Sequence, residues 1–162
     1  EKISVGEICE ACELNRKSFY YHFRDKYDLV EWIFQTEFIS AMGGSTAEEK
    51  WSFLNALCAY FYRERDFYVK ILQISGQNSF RQYFAEYLFQ VSEPFWGPPP
   101  EAGEKDENYR FFLTFMRDAV LVSVIRWLVE SPRVLPEQFV ERLQYISEQM
   151  EAQAQYRLER EN

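Results

Sequence analysis

At 162 residues, 47% of them hydrophobic and 19% aromatic, the chain holds enough apolar material for a packed core, which excludes a disordered polar segment. A net charge of −8 excludes attraction to phosphate over the whole surface and leaves only a local basic patch as a route to nucleic acid. Three cysteines do not make a disulfide scaffold, no secretory signal is read at the start, and the run Ala119 to Ile125 is too short to span a bilayer, so a cytoplasmic setting without membrane contact is expected.

In chain order, Ser4-x-x-Glu7 reads as a capping box ahead of a short helix, Val5 to Cys12, with Val5, Ile8, Cys9 and Cys12 on its inward stripe. Glu13-Leu14 breaks it. Asn15 caps a second short helix, Arg16 to Phe23, facing inward through Phe19 and Phe23. Asp25 caps a third, running to about Met42, with Leu29, Ile33 and Phe34 inward and Trp32 and Phe38 flanking. Gly43-Gly44-Ser45 is the strongest break, and the domain boundary is placed there: a first domain over 1–44 and a second over 45–162.

In the second domain, Ser45 or Thr46 caps a helix from about Glu48 to Arg63 with the stripe Trp51, Leu54, Leu57, Cys58, Phe61 and Tyr62. Asp66 to Ser75 and Asn78 to Ser92 read as further helices, and Pro94 to Asp106 as a loop. Asn108 to Glu130 is apolar almost all round, the pattern of a helix buried on most faces. Pro136 opens a last helix with Phe139, Leu143, Ile146 and Met150 on one face, beyond which the tail is polar and projects into solvent. There is no strand pattern and no internal repeat, so the fold class is all-α.

Two short helices joined by a tight turn, with a third behind, make a helix-turn-helix. Between Asn15 and Lys26 the cations Arg16, Lys17, Arg24 and Lys26 face the single acid Asp25, although the chain as a whole is acidic. Arg16, Lys17 and Ser18 stand at the end of the second helix that approaches base edges, where Arg or Lys can reach guanine O6 and N7. Tyr20, Tyr21 and His22 offer hydroxyl and imidazole groups to phosphates, as does Lys26 at the next helix start.

The run Ile8-Cys9-x-x-Cys12-x-Leu14-Asn15-Arg16-Lys17-Ser18-Phe19-Tyr20-Tyr21-His22-Phe23-x-Asp25-Lys26-x-Asp28-Leu29 resembles the DNA-binding signature of the TetR family of bacterial transcriptional regulators, most specifically in Phe19-Tyr-Tyr-His-Phe followed by Lys26 and Leu29. The stretch Tyr27 to Phe34 is similar to a subgroup that includes regulators of dihydroxyacetone kinase genes. The resemblance implies a homodimer on palindromic double-stranded DNA. It also implies a C-terminal domain open to a small effector, and a four-helix bundle made by the last two helices, about 108–130 and 136–153, with their copies. The family carries one more helix ahead of the reader, and an upstream segment supplying it is expected. Glycine usually stands where this chain has Glu13, so a positive φ there carries a cost on the order of 1 kcal/mol.

The aromatic residues of the second domain outnumber what a core of this size needs, and Phe61, Phe67, Tyr68, Tyr83, Phe84, Tyr87, Phe112, Phe115 and Trp127, with Arg117, are candidates to line an effector pocket. Arg117 and Asp118 interrupt the apolar run as an ion pair across a dimer, a polar group in a pocket or a wet edge. Cys9-x-x-Cys12 reads as core packing, because a zinc site needs about four ligands and the single histidine, His22, lies on the reader; neither metal nor cofactor is expected. No nucleophile motif surrounds His22, and no catalytic residue is expected. The alternative reading is a non-catalytic protein-interaction module with a vestigial reader, motivated by the acidic surface and by Glu13.

Overall fold

The computed structural model describes residues 3–40, 42, 50–74, 79–92, 107–131 and 133–161. The expected boundary at Gly43 to Ser45, the cap at Ser45 or Thr46 and the loop from Pro94 to Asp106 lie outside the described residues. Among those described, the secondary structure is entirely helical: α1 Val5–Ala11, α2 Arg16–His22, α3 Lys26–Phe34, a π-helical turn Gln35–Ile39, α4 Lys50–Arg63, α5 Arg65–Leu72, α6 Phe80–Ser92, α7 Glu107–Glu130 and α8 Pro136–Glu161.

Local chemistry sets the first three helices. Ser4 and Glu7 form the reciprocal capping box, Asn15 accepts from the Ser18 N–H at 2.8 Å, and Asp25 accepts from Tyr27 and Asp28. The burial of α1 departs from expectation: Cys9 is buried, whereas Cys12 follows the helix as its C-cap and is exposed. In α3 the buried face is Val30, Phe34 and, beyond the helix, Phe38, so the stripe lies one residue out of phase with Leu29 and Ile33, which are half-buried; Trp32 is exposed.

Phe34 explains that phase. Its ring is fully enclosed and meets Phe38, Phe61, Phe80, Phe84 and Tyr87 with centroids 5.3 to 6.0 Å apart. The third helix thus drives its last turn into the centre of the larger domain. The π-turn follows at once: the Ser40 N–H donates to the Gln35 carbonyl at 2.9 Å, one residue further back than an α-helix allows, and the Ser40 hydroxyl donates to the same oxygen at 2.8 Å. Side chains of the body fix the turn. Gln35 donates to the Tyr83 hydroxyl at 3.1 Å, and the Tyr60 hydroxyl donates to Glu37 at 3.1 Å. Because that uses the one Tyr60 proton, the Tyr68 hydroxyl is the donor in its 2.8 Å contact with Tyr60.

Around this cluster, α4 packs on α8, α6 on α7 and α3, and α5 on α6 and α7. Arg65 donates to the Leu128 carbonyl at 2.7 Å and to Val129 at 3.3 Å, meeting the negative end of α7 with a cation. Trp127 locks the α7–α8 corner: its indole N–H donates to the Val134 carbonyl at 2.9 Å and its ring stacks on Phe139 at 4.7 Å. Pro136 begins α8, as expected, but the helix continues far past Met150, to Glu161. Nor is α7 buried on most faces within one chain: Phe111 is 71% exposed and Phe115 59%.

Candidate nucleic-acid interface

The reader is built from α1, the turn Cys12 to Asn15, α2 and the start of α3. The turn closes through the Leu14 N–H, which donates to the Cys9 carbonyl at 2.8 Å, and it places Glu13 at φ 54°, the left-handed region expected from its position. Phe19 is the buried anchor of α2, touching Phe23 with centroids 5.5 Å apart; Phe23 in turn meets Trp32 of α3 at 5.7 Å. Anchored by Phe19, α2 leaves Arg16, Lys17, Tyr20, Tyr21 and His22 exposed, with Tyr21 84% open to solvent. Tyr21 and His22 meet edge to face at 5.0 Å, so the two rings hold each other on that surface.

Not every expected site residue stands free. The Lys26 ammonium donates to the Ile3 carbonyl at 2.8 Å and lies over the Tyr27 ring, so it ties α3 to the segment before α1. The Ser18 hydroxyl donates to Asn15 at 3.2 Å and serves the cap. The Arg16 guanidinium lies over Gly6, where an added Cβ would come within 2.5 Å of it, so any larger residue at position 6 would displace that side chain. Arg24 was counted in the basic patch but not among the expected contacts. Its amide and guanidinium both bond Asp28, at 2.9 and 3.1 Å, which fixes an exposed cation beside the reader. The same contacts hold the Asp28 carboxyl below its ordinary range, the backbone donor first. The spacing Arg24-x-x-x-Asp28 was the signal available for it.

In the larger domain the expected pocket residues separate. Phe61, Tyr68 and Phe84 are fully enclosed and pack ring on ring with Phe34 and Phe80, and Trp127 is held at the α7–α8 corner. Tyr83 and Tyr87 edge the same cluster, Phe112 is half-buried and Phe115 faces outward. These side chains form an aromatic core and its margin, ring against ring. Arg117 borders an apolar pocket of about 120 Å³ between α4, α6, α7 and α8, partly open to solvent beside Ile146 and Met150. Arg117 pairs with its own neighbour, Asp118, at 2.7 and 2.9 Å.

Comparison with known proteins agrees with this geometry. A family model described as "Bacterial regulatory proteins, tetR family" matches residues 1–33, and one described as "Transcriptional regulator C-terminal region" matches residues 49–149, more than half of the chain. The chain belongs to the TetR family of transcriptional regulators. It is 29% identical over 84 residues to the HTH-type dhaKLM operon transcriptional activator DhaS of Lactococcus lactis subsp. lactis (strain IL1403). That alignment covers 51% of this chain and 44% of the relative, so less than half of the relative's length is matched. The helix-turn-helix described above lies within the part matched by the DNA-binding model of this family of transcriptional regulators. No helix among the described residues is long and apolar enough to cross a membrane.

Proposed function

We propose that the protein acts as a homodimer on a palindromic operator, with α2 of each copy in the major groove and an effector received by the larger domain. In this reading Arg16 and Lys17 reach base edges, and Ser18, Tyr20, Tyr21, His22 and Lys26 hold the phosphate backbone, with Arg24 as a further phosphate contact. Residues 1–44 and 45–162 are the two working units. The observation that carries the dimer is the apolar surface left open on the last two helices: Phe111, Phe115 and Val122 on α7, and Tyr145, Ile146, Met150 and Tyr156 on α8. Apolar surface repeated along two long helices is matched best by its own copy across a two-fold axis. A symmetric pair would set two readers on half-sites one helical turn apart or a multiple of it.

The test is fluorescence anisotropy of the natural full-length protein on the DNA flanking its gene, across a salt series, beside scrambled duplex. Tight, salt-sensitive binding to the flanking DNA alone is the expected result. Equal, weak binding to both, followed by a blank selection from random duplexes, would favour the second reading, an acidic protein-interaction module. The net charge of −8 speaks for that reading; the intact caps and the open α2 surface speak against it. The relative bears the name of an activator, and a promoter fusion would give the sign here.

A further inference from the structure

We infer that Gly6 is a specificity-determining residue of the reader that acts through Arg16. Position 6, bare of a side chain, seats the Arg16 guanidinium, and that seat decides which base the cation reads. This rests on the reading that Arg16 reaches base edges from α2. Gly6 is the second residue of α1 and Arg16 the first of α2. A Cβ built on Gly6 would meet Nη2 of Arg16 at 2.5 Å, Cζ at 3.3 Å and Nε at 3.4 Å. Apart from its chain neighbours and the backbone of α1, its three nearest atoms therefore all belong to one guanidinium. The charged group crosses from the recognition helix to the first turn of the helix before it, through the space a methyl would fill.

The helix itself gains nothing from a glycine there. Gly6 has ordinary helical backbone, not the left-handed conformation that favours glycine, and glycine within a helix is less favourable than alanine. Nor does the protein engage the cation. Arg16 is exposed, and among the described residues it makes no hydrogen bond or ion pair, so all five of its N–H donors are open to DNA. Its neighbours are held differently: Asp28 aims Arg24, and the Ile3 carbonyl holds Lys26. Arg16 is placed by shape alone. One methyl on Gly6 would move only the far end of a flexible side chain, yet a bidentate arginine–guanine contact depends on the direction of that fork.

The natural full-length protein, Gly6→Ala, Arg16→Ala and the double variant would each be put through selection from random duplexes, then anisotropy on single-base variants of the selected site. Gly6→Ala is expected to melt at or above the parent temperature, because alanine suits the helix better. It should nevertheless lose about 5- to 150-fold of the preference at one base pair of each half-site, the same pair that Arg16→Ala flattens. With Arg16 already removed, Gly6→Ala should change nothing further, a fully non-additive cycle. Gly6→Ser carries the same Cβ and should repeat the result. An unaltered preference in Gly6→Ala, a change at a different base pair, or an effect that persists without Arg16 overturns the inference. So does a Gly6→Ala variant that melts well below the parent, since its Cβ would then be meeting something other than a flexible side chain. Arg16→Ala alone separates the two readings. If it shifts the preference and Gly6→Ala does not, the seat falls and the base contact stands; if Arg16→Ala shifts nothing, the base contact falls and the seat with it.

Discussion

Glu13 holds a left-handed backbone conformation that disfavours any side chain, and nothing but the turn between α1 and α2 demands it. Replacing Glu13 with glycine should therefore stabilise the protein by on the order of 1 kcal/mol, less the extra freedom glycine gains when unfolded, as read from urea midpoints at constant slope. A destabilised Glu13→Gly variant would show that the glutamate side chain makes up for its own strain. The cysteines differ in the same residue-by-residue way. Burial pushes the Cys58 thiol up to about 12, and since thiolate is the reactive form, Cys58 should stay unmodified by iodoacetamide at pH 8 while exposed Cys12 reacts; peptide mass spectrometry reads both. At the reader, Arg16→Ala or Lys17→Ala should change which duplexes are preferred, by roughly 1–3 kcal/mol per lost base contact. Lys26→Ala should weaken all duplexes alike, and because Lys26 also holds the Ile3 carbonyl, it should loosen the segment before α1 as well. Sequence-blind losses in all three would refute that division.

At the scale of elements, the three caps were legible because capping is local: a side chain bonds an N–H two or three residues away, and spacing alone reveals it. The phase of α3 was not. Leu29, Val30, Trp32, Ile33 and Phe34 make nearly every position apolar, so periodicity cannot choose a face, and the rings of α4 and α6 choose it instead. The length of α8 was missed for a different reason. Beyond Met150 the apolar stripe fades, but glutamate, glutamine, alanine and arginine are strong helix formers and carry the helix on. The Tyr68–Tyr60–Glu37 chain yields an ordered prediction. Tyr60→Phe strands the enclosed Tyr68 donor and should cost about 1–3 kcal/mol, more than Tyr68→Phe, which leaves the Tyr60–Glu37 bond in place; denaturant melts of both would rank them. Acid tests the start of α3. The Asp28 carboxyl lies below its ordinary value, so its support is complete above that value and is lost as pH falls through the lowered one. Amide shifts of Arg24 and Asp28 should therefore hold steady into the acid range and move only below it, and Asp28→Asn should remove that limb.

Over the whole molecule, fold class and family could be read from the first quarter of the chain, where one motif concentrates its signature residues; the pocket beside Arg117 could not. Counting aromatic residues cannot distinguish a filled core from a lined hollow, since that depends on how rings from separate helices interlock, and this pocket is lined mainly by aliphatic side chains. The apolar completeness of α7 also has a different explanation from the one its pattern suggested: one face serves the core and the other lies open on a single copy. If that open face is the dimer contact, Phe115→Glu should yield a monomer by sedimentation equilibrium and lose most operator affinity while its helical content stays unchanged. An unaltered dimer would place the contact elsewhere.

The aromatic anchor at the end of α3 bears on how such a regulator could be rewired. The family match for the DNA-binding part stops at residue 33, one position short of Phe34. A chimaera spliced at that border would take the recognition surface and leave behind Phe34, Phe38 and the π-turn that seat it in the body. The graft would keep the exposed face of α2 but lose the packing and hydrogen bonds that tie it to the larger domain. A junction placed after Ser40, with Tyr60, Tyr83 and the enclosing rings transplanted alongside, is the smallest cut that keeps the mechanical joint whole.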